Sequence, residues 1–531
     1  MQHYFTHDVQ SVANSMSDCT KRRIPFLFAF DFELSEALFI EHPLQQRQVL
    51  FRTPLGGNSP ALPACSLLGK PCVDFSPETL EAYSRKFAVI SNALQRGNSF
   101  LANLTVKTPV HTGWSLPDIF AVADAPFCLC VPDRFVCFSP ERFVRVSADG
   151  VISTNPMKGT ISASVPNASR HILSDVKESA EHATIVDLLR NDLSMNAHHV
   201  RVERYRYITQ IETGRGDILQ VSSEVCGRLY DGWQNRLGQI LLDMLPAGSV
   251  SGAPKKATVD AIRRAEREPR GFYTGVCGFF DGNSLDSAVL IRYIEQDAGG
   301  NQFFRSGGGI TAKSRLLDEY NEVMQKIYIP VRKPKFSDVI CVENGEFLRL
   351  DYHQRRVSDT CNRFYQSDLS LSELAAALPA SARRGRYKCR VVYGSAVESV
   401  EFAEYHPKKV EKVALVYDDS VDYGYKYLDR SALTRLVEAS GADDVVIVKN
   451  GVITDSSFCN LVFEDAAGNR FTPSEALLKG TYRQWLIDNR LVKAKTIRPA
   501  DLSGYVYVYF VNAMRSLDNC TKLRVADVKG R

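Results

Sequence analysis

The stretch Thr154-Asn155-Pro156-Met157-Lys158-Gly159-Thr160 decides how the chain around it is read. Residues 144–146 and 151–153 are short runs joined across Asp149-Gly150, which predicts two strands and a tight turn. Pro156 cannot donate to a strand ladder, and Gly159 allows a tight backbone path. Lys158 is therefore expected on a loop at the end of a sheet, where burial would lower its pKa and free its lone pair for nucleophilic attack. A loop lysine taken alone is most often solvated. The residues on either side argue for more.

Upstream, the apolar run 24–32 predicts a buried strand. The Gly- and Pro-rich run 55–72 predicts a loop. A helix is expected from Ser76 (N-cap) and Pro77 to about Arg96, stopping at Gly97-Asn98. Strands are expected at 100–105 and 135–138. The second delivers Ser139-Pro140-Glu141-Arg142-Phe143, where Glu141 is a candidate general acid or base if its pocket raises its pKa. Taken alone, such a carboxylate is more often a surface ion-pair partner.

Downstream, 174–192 predicts a helix capped by Ser174, with Ala180, Ala183, Val186 (or Asp187) and Leu189 as its apolar stripe. Glu178 and Glu181 share a face, either solvated or holding a hard cation such as Mg²⁺. Gly248-Ser249-Val250-Ser251-Gly252-Ala253-Pro254-Lys255 is expected to enter a helix running to about Arg267, its first amides with Ser251 and Lys255 able to hold an anion. The spacing is not that of a nucleotide P-loop. A hairpin of 275–280 and 287–294 across Asp281-Gly282 would bring Tyr273 near Arg292, a bidentate carboxylate binder by geometry. Gly307-Gly308-Gly309 offers bare amides, and a closing helix carries Asp318, Glu319 and Glu322, with Lys326 one turn on.

The 531 residues exceed one ordinary core, so two or more domains are expected. A hydrophobic fraction of 44% and a charged fraction of 24% are globular values. A net charge of +4, from 65 basic and 61 acidic side chains, gives no strong field toward nucleic acid or acidic membranes. Thirteen cysteines, an odd number without a CxxC pair, argue against a disulfide framework or structural zinc and fit a cytoplasmic location. The polar start and the lack of a long apolar run predict neither signal peptide nor membrane span.

Taken in order, SPERF (139–143), NPMKGT (155–160), EHATIVDLLRND (181–192), GSVSGAPK (248–255), YTGVCGFF (273–280), AVLIRYI (288–294) and SGGGITA (306–312) followed by DEYNE (318–322) resemble the chorismate-utilising enzymes. These include anthranilate synthase component I, isochorismate synthase and aminodeoxychorismate synthase component I. The resemblance implies an α+β fold in which two facing antiparallel sheets are flanked by helices. Anthranilate and isochorismate synthases usually carry Ala where Lys158 stands, whereas aminodeoxychorismate synthases have Lys. The implied mechanism has Lys158 add to C2 of chorismate and drive out the C4 hydroxyl, Glu141 protonate the leaving group, and ammonia displace the lysine. Mg²⁺ on Glu181 and Glu322, with Glu319 nearby, would hold the ring carboxylate. Tyr273, Arg292 and the Gly308 amides would hold the enolpyruvyl carboxylate; Thr160, Ser251, Lys255, Gly307, Gly309 and Lys326 complete the implied substrate set. Gln220 stands where many relatives have His, and Ser162-Ala163-Ser164-Val165 replaces the usual Pro-Arg after the lysine loop.

Residues 328–335, with two prolines and three basic residues, contain the expected linker (331–335). Hairpins are predicted over Asn344-Gly345 and Asn450-Gly451, a helix from Tyr352, and a strand at 413–417. HQRR (353–356) with Arg363, YKYLDR (425–430), ITDSSFCNLVF (453–463) and KGTYR (479–483) resemble the class IV aminotransferases, pyridoxal-phosphate enzymes of fold type IV, and within them aminodeoxychorismate lyase. The resemblance makes Lys426 the Schiff-base lysine. It gives Arg356, Ser456 and the turn amides at Ser457 and Thr481 the cofactor phosphate, and sets Asp455, where the family more often has Glu, on the pyridinium nitrogen.

The expected organisation is thus 1–75, a short N-terminal part of the synthase; 76–330, the chorismate-binding domain; the linker; and 336–531, the aminotransferase- or lyase-like domain. Together the halves imply synthesis of 4-aminobenzoate for folate: 4-amino-4-deoxychorismate from chorismate and ammonia, then loss of pyruvate. No glutaminase region is evident, so a separate glutamine amidotransferase subunit is expected, and class IV relatives suggest a homodimer through the C-terminal domain. The alternatives are an anthranilate-forming first half beside an amino-acid transaminase, or a second half that is a non-catalytic scaffold.

Overall fold

In the computed structural model, which describes residues 4–59, 73–211, 218–331, 333–365 and 367–530, the run around Phe28 forms the strand Phe26–Phe30, buried throughout. Strand periodicity sends alternate side chains to opposite faces. Phe26, Phe28 and Phe30 pack with Met16, Leu237 and Leu241 from the helices Val9–Arg22 and Leu237–Asp243. Leu27 and Ala29 face the other way and meet Phe51, Leu129 and Phe135 of a second sheet.

The chain divides into two compact units, Met1–Arg332 and Lys333–Arg531. In the first, the strands described form a ten-stranded sheet, which includes Phe26–Phe30, Val276–Phe280, Leu285–Val289, Arg142–Val146, Val151–Thr154, Ile218–Leu229 and Met157–Ser162, and a nine-stranded sheet, which includes Leu101–His111, Gln302–Thr311, Tyr293–Gln296, Phe135–Ser139 and Phe127–Val131. Every pairing described in either sheet is antiparallel. The outer face of the second sheet, through Leu104 and Val106, is covered by Tyr83 and Ile90 of the helix Leu80–Gln95 and by Ala261 and Ile262 of Lys255–Glu266.

Four local expectations need correction. The helix expected from Ser76 begins at Leu80, because the Thr79 side chain caps it by accepting from the Ala82 amide, while the Ser76 amide is tied to Pro109. The helix expected from Ser174 is two helices, Ala168–Ser174 and Val176–Ser194, joined at Asp175, whose carboxylate accepts from the Glu178 amide at 2.9 Å. Its buried stripe is His182, Ile185, Val186, Leu189 and Leu193; Ala180 and Ala183 are exposed. The strand expected over 287–294 breaks: Leu285–Val289 lies in one sheet and Tyr293–Gln296 in the other, with Arg292 at φ 53° between them. The helix expected from residue 248 is a single turn, Gly248–Ser251, then the short strand Gly252–Ala253 beside Leu101 and Ala102, then Lys255–Glu266. Most of the loop expected over 55–72 lies outside the described residues.

The second unit joins a four-stranded antiparallel sheet, Glu346–Phe347, Phe336–Glu343, Arg386–Tyr393 and Val397–Glu404, to a nine-stranded mixed sheet that contains Val413–Tyr417, Asp444–Lys449, Val452–Ser456, Asn460–Asp465 and Tyr505–Val511. Asn344-Gly345 (φ 50° and 89°) and Asn450-Gly451 (φ 51° and 75°) hold the doubly positive φ of a two-residue hairpin turn. Among the described residues no helix is long and apolar enough to cross a membrane.

Candidate active sites

Lys158 lies on the strand Met157–Ser162, not on a free loop. That strand pairs Met157 with Ser222 and Thr160 with Gln220, with a register shift between them. Gly159 sits in the shift at φ 83°, a conformation open to glycine and strained for other residues. The bulge turns Lys158 toward the facing sheet: its Nζ is 3.2 Å from where a Cβ would stand on Gly309. Glu181, on the helix Val176–Ser194, comes to 3.8 Å from that Nζ.

Glu141 and Arg292 share one corner of the unit. Each lies where the chain leaves one sheet for the other, and the two crossings are stitched together: the Val289 amide donates to Glu141 O (3.2 Å) and the Phe138 amide to Arg292 O (2.9 Å). Burial raises the Glu141 carboxyl, while a hydrogen bond with Ser249 and the charges of Lys158 and Lys326 pull it back. Arg292 is held below its usual range by burial; it donates to Lys326 O at 2.6 Å and lies 4.7 Å over the Tyr328 ring. Tyr273 is buried beside it, its phenol pushed well up chiefly by burial, with the Arg292 charge acting in the opposite direction.

Gly307, Gly308 and Gly309 are ladder residues opposite Thr105, Leu104 and Asn103, not a loop of bare amides. Above Gly308 stand Glu322 Oε1 and Glu319 Oε2, 3.8 and 3.9 Å from its missing Cβ. Both come from the helix Leu316–Gln325. Lys326 Nζ joins Glu322 (2.8 Å) to Gly307 O (3.0 Å). Lys158 thus meets Glu181 and Gly309 on one face of the second sheet, near enough to Glu141 to act on its charge, whereas Glu319 and Glu322 stand with Val323 over Gly308, on the face that carries Leu104. Thr160 is exposed. Ser251 and Lys255 do not form the anion cradle expected of them. Ser251 is buried and donates to Ala247 O, and Lys255 is engaged by Asp192 (2.9 Å) and Met244 O (2.8 Å). The same segment contributes Ser249 instead, which no sequence signal singled out. Among the described residues no three His, Cys, Asp or Glu side chains gather to hold a metal ion, so Glu181, Glu319 and Glu322 are not a preassembled trio.

In the second unit the Lys426 amine is brought down to about 8, first by burial and then by the Arg356 charge. Arg356 is gripped by Asp338 on the neighbouring strand, Nε to Oδ2 at 3.1 Å and Nη2 to Oδ1 at 2.7 Å. Burial alone would raise the Asp338 carboxyl; Arg356 and His353 hold it far below the carboxylate range. Asp455 is buried and raised to about 6 by burial, against the bonds it accepts from Leu478 N and Asn460 Nδ2, both 2.8 Å. Asn460 lies so close to Gly480 that a Cβ there would stand 1.8 Å from its Oδ1, which explains the glycine before the helix Thr481–Asp488. That helix has no side-chain cap at Gly480, which leaves its first amides for a ligand. The Ser457 amide, expected to face a phosphate, donates instead to Asp444 Oδ1 (3.1 Å). Ser456 Oγ accepts the Cys459 amide (2.9 Å), closing the turn. Arg430, from the YKYLDR run, donates to Ser457 O at 2.7 Å.

The profile of the chorismate binding enzymes matches residues 70–332, and that of amino-transferase class IV matches 336–522. The chain is 45% identical over 314 residues to an "Uncharacterized PabA-like protein" of Haemophilus influenzae, spanning 59% of this chain and 94% of that one. It is 30% identical over 278 residues to aminodeoxychorismate synthase component 1 of Bacillus subtilis, 50% of this chain and 57% of the relative. It is 37% identical over 194 residues to anthranilate synthase component 1 of Archaeoglobus fulgidus, 36% of this chain and 45% of the relative.

Proposed function

The chain belongs to the chorismate binding enzymes and carries a class IV aminotransferase domain behind them, and from that premise we propose that it makes 4-aminobenzoate in two steps. The first unit would convert chorismate and ammonia to 4-amino-4-deoxychorismate. The second would eliminate pyruvate from that product. Relatives with either amination outcome are similar to this chain, so likeness does not choose between them. The choice rests on one observation: an amine, Lys158, stands between Glu181 and Gly309, turned toward the facing sheet.

Lys158 would form a bond from Nζ to ring C2 as the C4–O bond breaks. Glu141, whose carboxyl burial raises, would give its proton to the leaving hydroxyl, which departs as water. Glu181, 3.8 Å from Nζ, is placed to take the proton Lys158 then loses. Attack of ammonia at C4 would break the C2–Nζ bond, with Glu181 returning its proton to Nζ as the amine leaves and the new ammonium at C4 giving a proton back to Glu141, so that one ammonia enters and one water leaves. Arg292 and Tyr273 would hold the enolpyruvyl carboxylate, with Lys326 beside them. Mg²⁺ is commonly held by one or two carboxylates plus substrate oxygens and water. The pair Glu319 and Glu322 above Gly308 suits that manner of binding by its donors, and the resemblance would add Glu181, beside Lys158, for an ion that neutralises the ring carboxylate.

The second unit suits pyridoxal phosphate by its donors: an amine shifted toward neutrality, a buried carboxyl for the ring nitrogen, and Arg356 with the uncapped helix start at Thr481 for the phosphate. The cofactor supplies an electron sink for carbanion chemistry. Lys426 would carry the C4 proton of the substrate ring, Asp455 would hold a proton at the cofactor nitrogen, and Asn460 would keep Asp455 in place. The ammonia would come from a separate glutaminase subunit; efficient use of glutamine by this chain alone would contradict that part. The two steps are separated by Lys426→Ala, which should accumulate 4-amino-4-deoxychorismate, and Lys158→Ala, which should make none yet still release pyruvate from added intermediate. Normal 4-aminobenzoate from either variant would refute the assignment.

A further inference from the structure

The second unit contains a chain of buried polar groups. Asp338 on Phe336–Glu343 and His353 on Leu350–Phe364 are fully buried. Asp338 Oδ1 lies 2.7 Å from His353 Nδ1 and 2.7 Å from Arg356 Nη2. His353 Nε2 lies 3.3 Å from Thr481 Oγ1, at the start of the helix Thr481–Asp488. One carboxylate therefore touches both groups expected at the cofactor phosphate, one directly and one through an imidazole.

The chemistry fixes the direction of each bond. Asp338, paired with a guanidinium, is ionised and can only accept, so His353 donates from Nδ1. In the neutral ring Nε2 is then an acceptor, and the Thr481 hydroxyl donates to it. The hydroxyl proton of Thr481 is thus used inside the protein, which leaves its backbone amide as the group that meets a ligand. Arg356 spends Nε and Nη2 on Asp338, so Nη1 remains for an anion.

We propose that Asp338 and His353 are positioning residues that set Arg356 and the first turn of the helix Thr481–Asp488 as a two-pronged grip on a phosphate monoester. The inference rests on the pyridoxal-phosphate reading of this unit. The rival account is that the network only staples a helix to a strand. The two accounts differ in what they do to a ligand without phosphate. A misplaced grip weakens pyridoxal phosphate and leaves pyridoxal alone; a loosened fold weakens both.

The test is titration of the full-length chain with pyridoxal phosphate and with pyridoxal, followed by absorbance, for the natural protein, Asp338→Asn and His353→Gln. Both variants should bind pyridoxal phosphate about tenfold to a hundredfold more weakly, the range seen when a partner that orients a ligand-holding group is removed, with pyridoxal affinity unchanged. His353→Gln leaves the Asp338–Arg356 pair intact, so it reports even if Asp338→Asn fails to fold. Equal losses for both ligands, or no loss for His353→Gln, would overturn the inference while the cofactor reading stands. A natural chain that binds neither ligand would overturn both.

Discussion

The Lys426 amine gives the second unit its most exacting prediction. Burial and then the Arg356 charge bring it from the usual 10.5 to about 8. The difference, 10.5 − 8 = 2.5, makes the neutral amine at pH 7 about 300 times more abundant than for an ordinary lysine, at about one molecule in eleven. Only the neutral amine attacks a carbonyl, so condensation with an aldehyde should rise with pH through about 8 and then level off. Competitive acetylation of the full-length chain without cofactor, read by peptide mass spectrometry across the pH range, measures the midpoint independently of slow access to a buried group. Arg356→Met removes a cation and leaves Asp338 uncompensated, and both changes favour the protonated amine, so the midpoint should move up. A midpoint near that of an ordinary lysine in the natural chain, or no movement in Arg356→Met, would refute the electrostatic account.

Glu141→Gln should slow the first reaction by about 10²–10⁴-fold. In the natural chain that rate should fall as pH rises through the elevated Glu141 carboxyl, and the variant's pH–rate profile should lack this limb. Arg270 and Glu266 form an ion pair at 2.7 Å with side chains 1% and 4% exposed. Arg270→Met should therefore cost about 3–5 kcal/mol, read from a denaturant melt, because it strands a buried charge. Gly480→Ala should push Asn460 away from Asp455 and weaken pyridoxal-phosphate binding; unchanged affinity in the same absorbance titration would contradict the positioning assigned to Asn460.

Local signals carried much of this. The hairpin turns at Asn344-Gly345 and Asn450-Gly451 and the buried strand around Phe28 were legible because each depends on a few neighbouring residues. The tighter errors came from tertiary competition. Ser76 is as good a cap as Thr79 by composition, but its amide is taken by Pro109 on the adjacent strand. The apolar run 287–294 reads as one strand because both of its halves are buried; nothing in its periodicity marks that it changes sheets at Arg292. Glu141 was legible as a candidate acid, but not its setting: a carboxylate at a strand end is common, and only the second crossing beside it makes a corner. Ser249, Asn460 and Asp338 were missed because their importance lies in the partners the fold gives them: Glu141 for Ser249, Asp455 and Leu478 for Asn460, and His353 and Arg356 for Asp338. Lys255 was overread because its partner, Asp192, is distant in sequence.

The central claim is that one chain takes chorismate to 4-aminobenzoate through Lys158 and Lys426. The most direct measurement supplies the purified chain with chorismate, Mg²⁺, pyridoxal phosphate and ammonium and identifies the products by chromatography and mass. The account expects 4-aminobenzoate and pyruvate in equal amounts. Anthranilate in place of 4-aminobenzoate would contradict the role given to Lys158, and 4-amino-4-deoxychorismate accumulating without pyruvate would contradict the role given to the second unit.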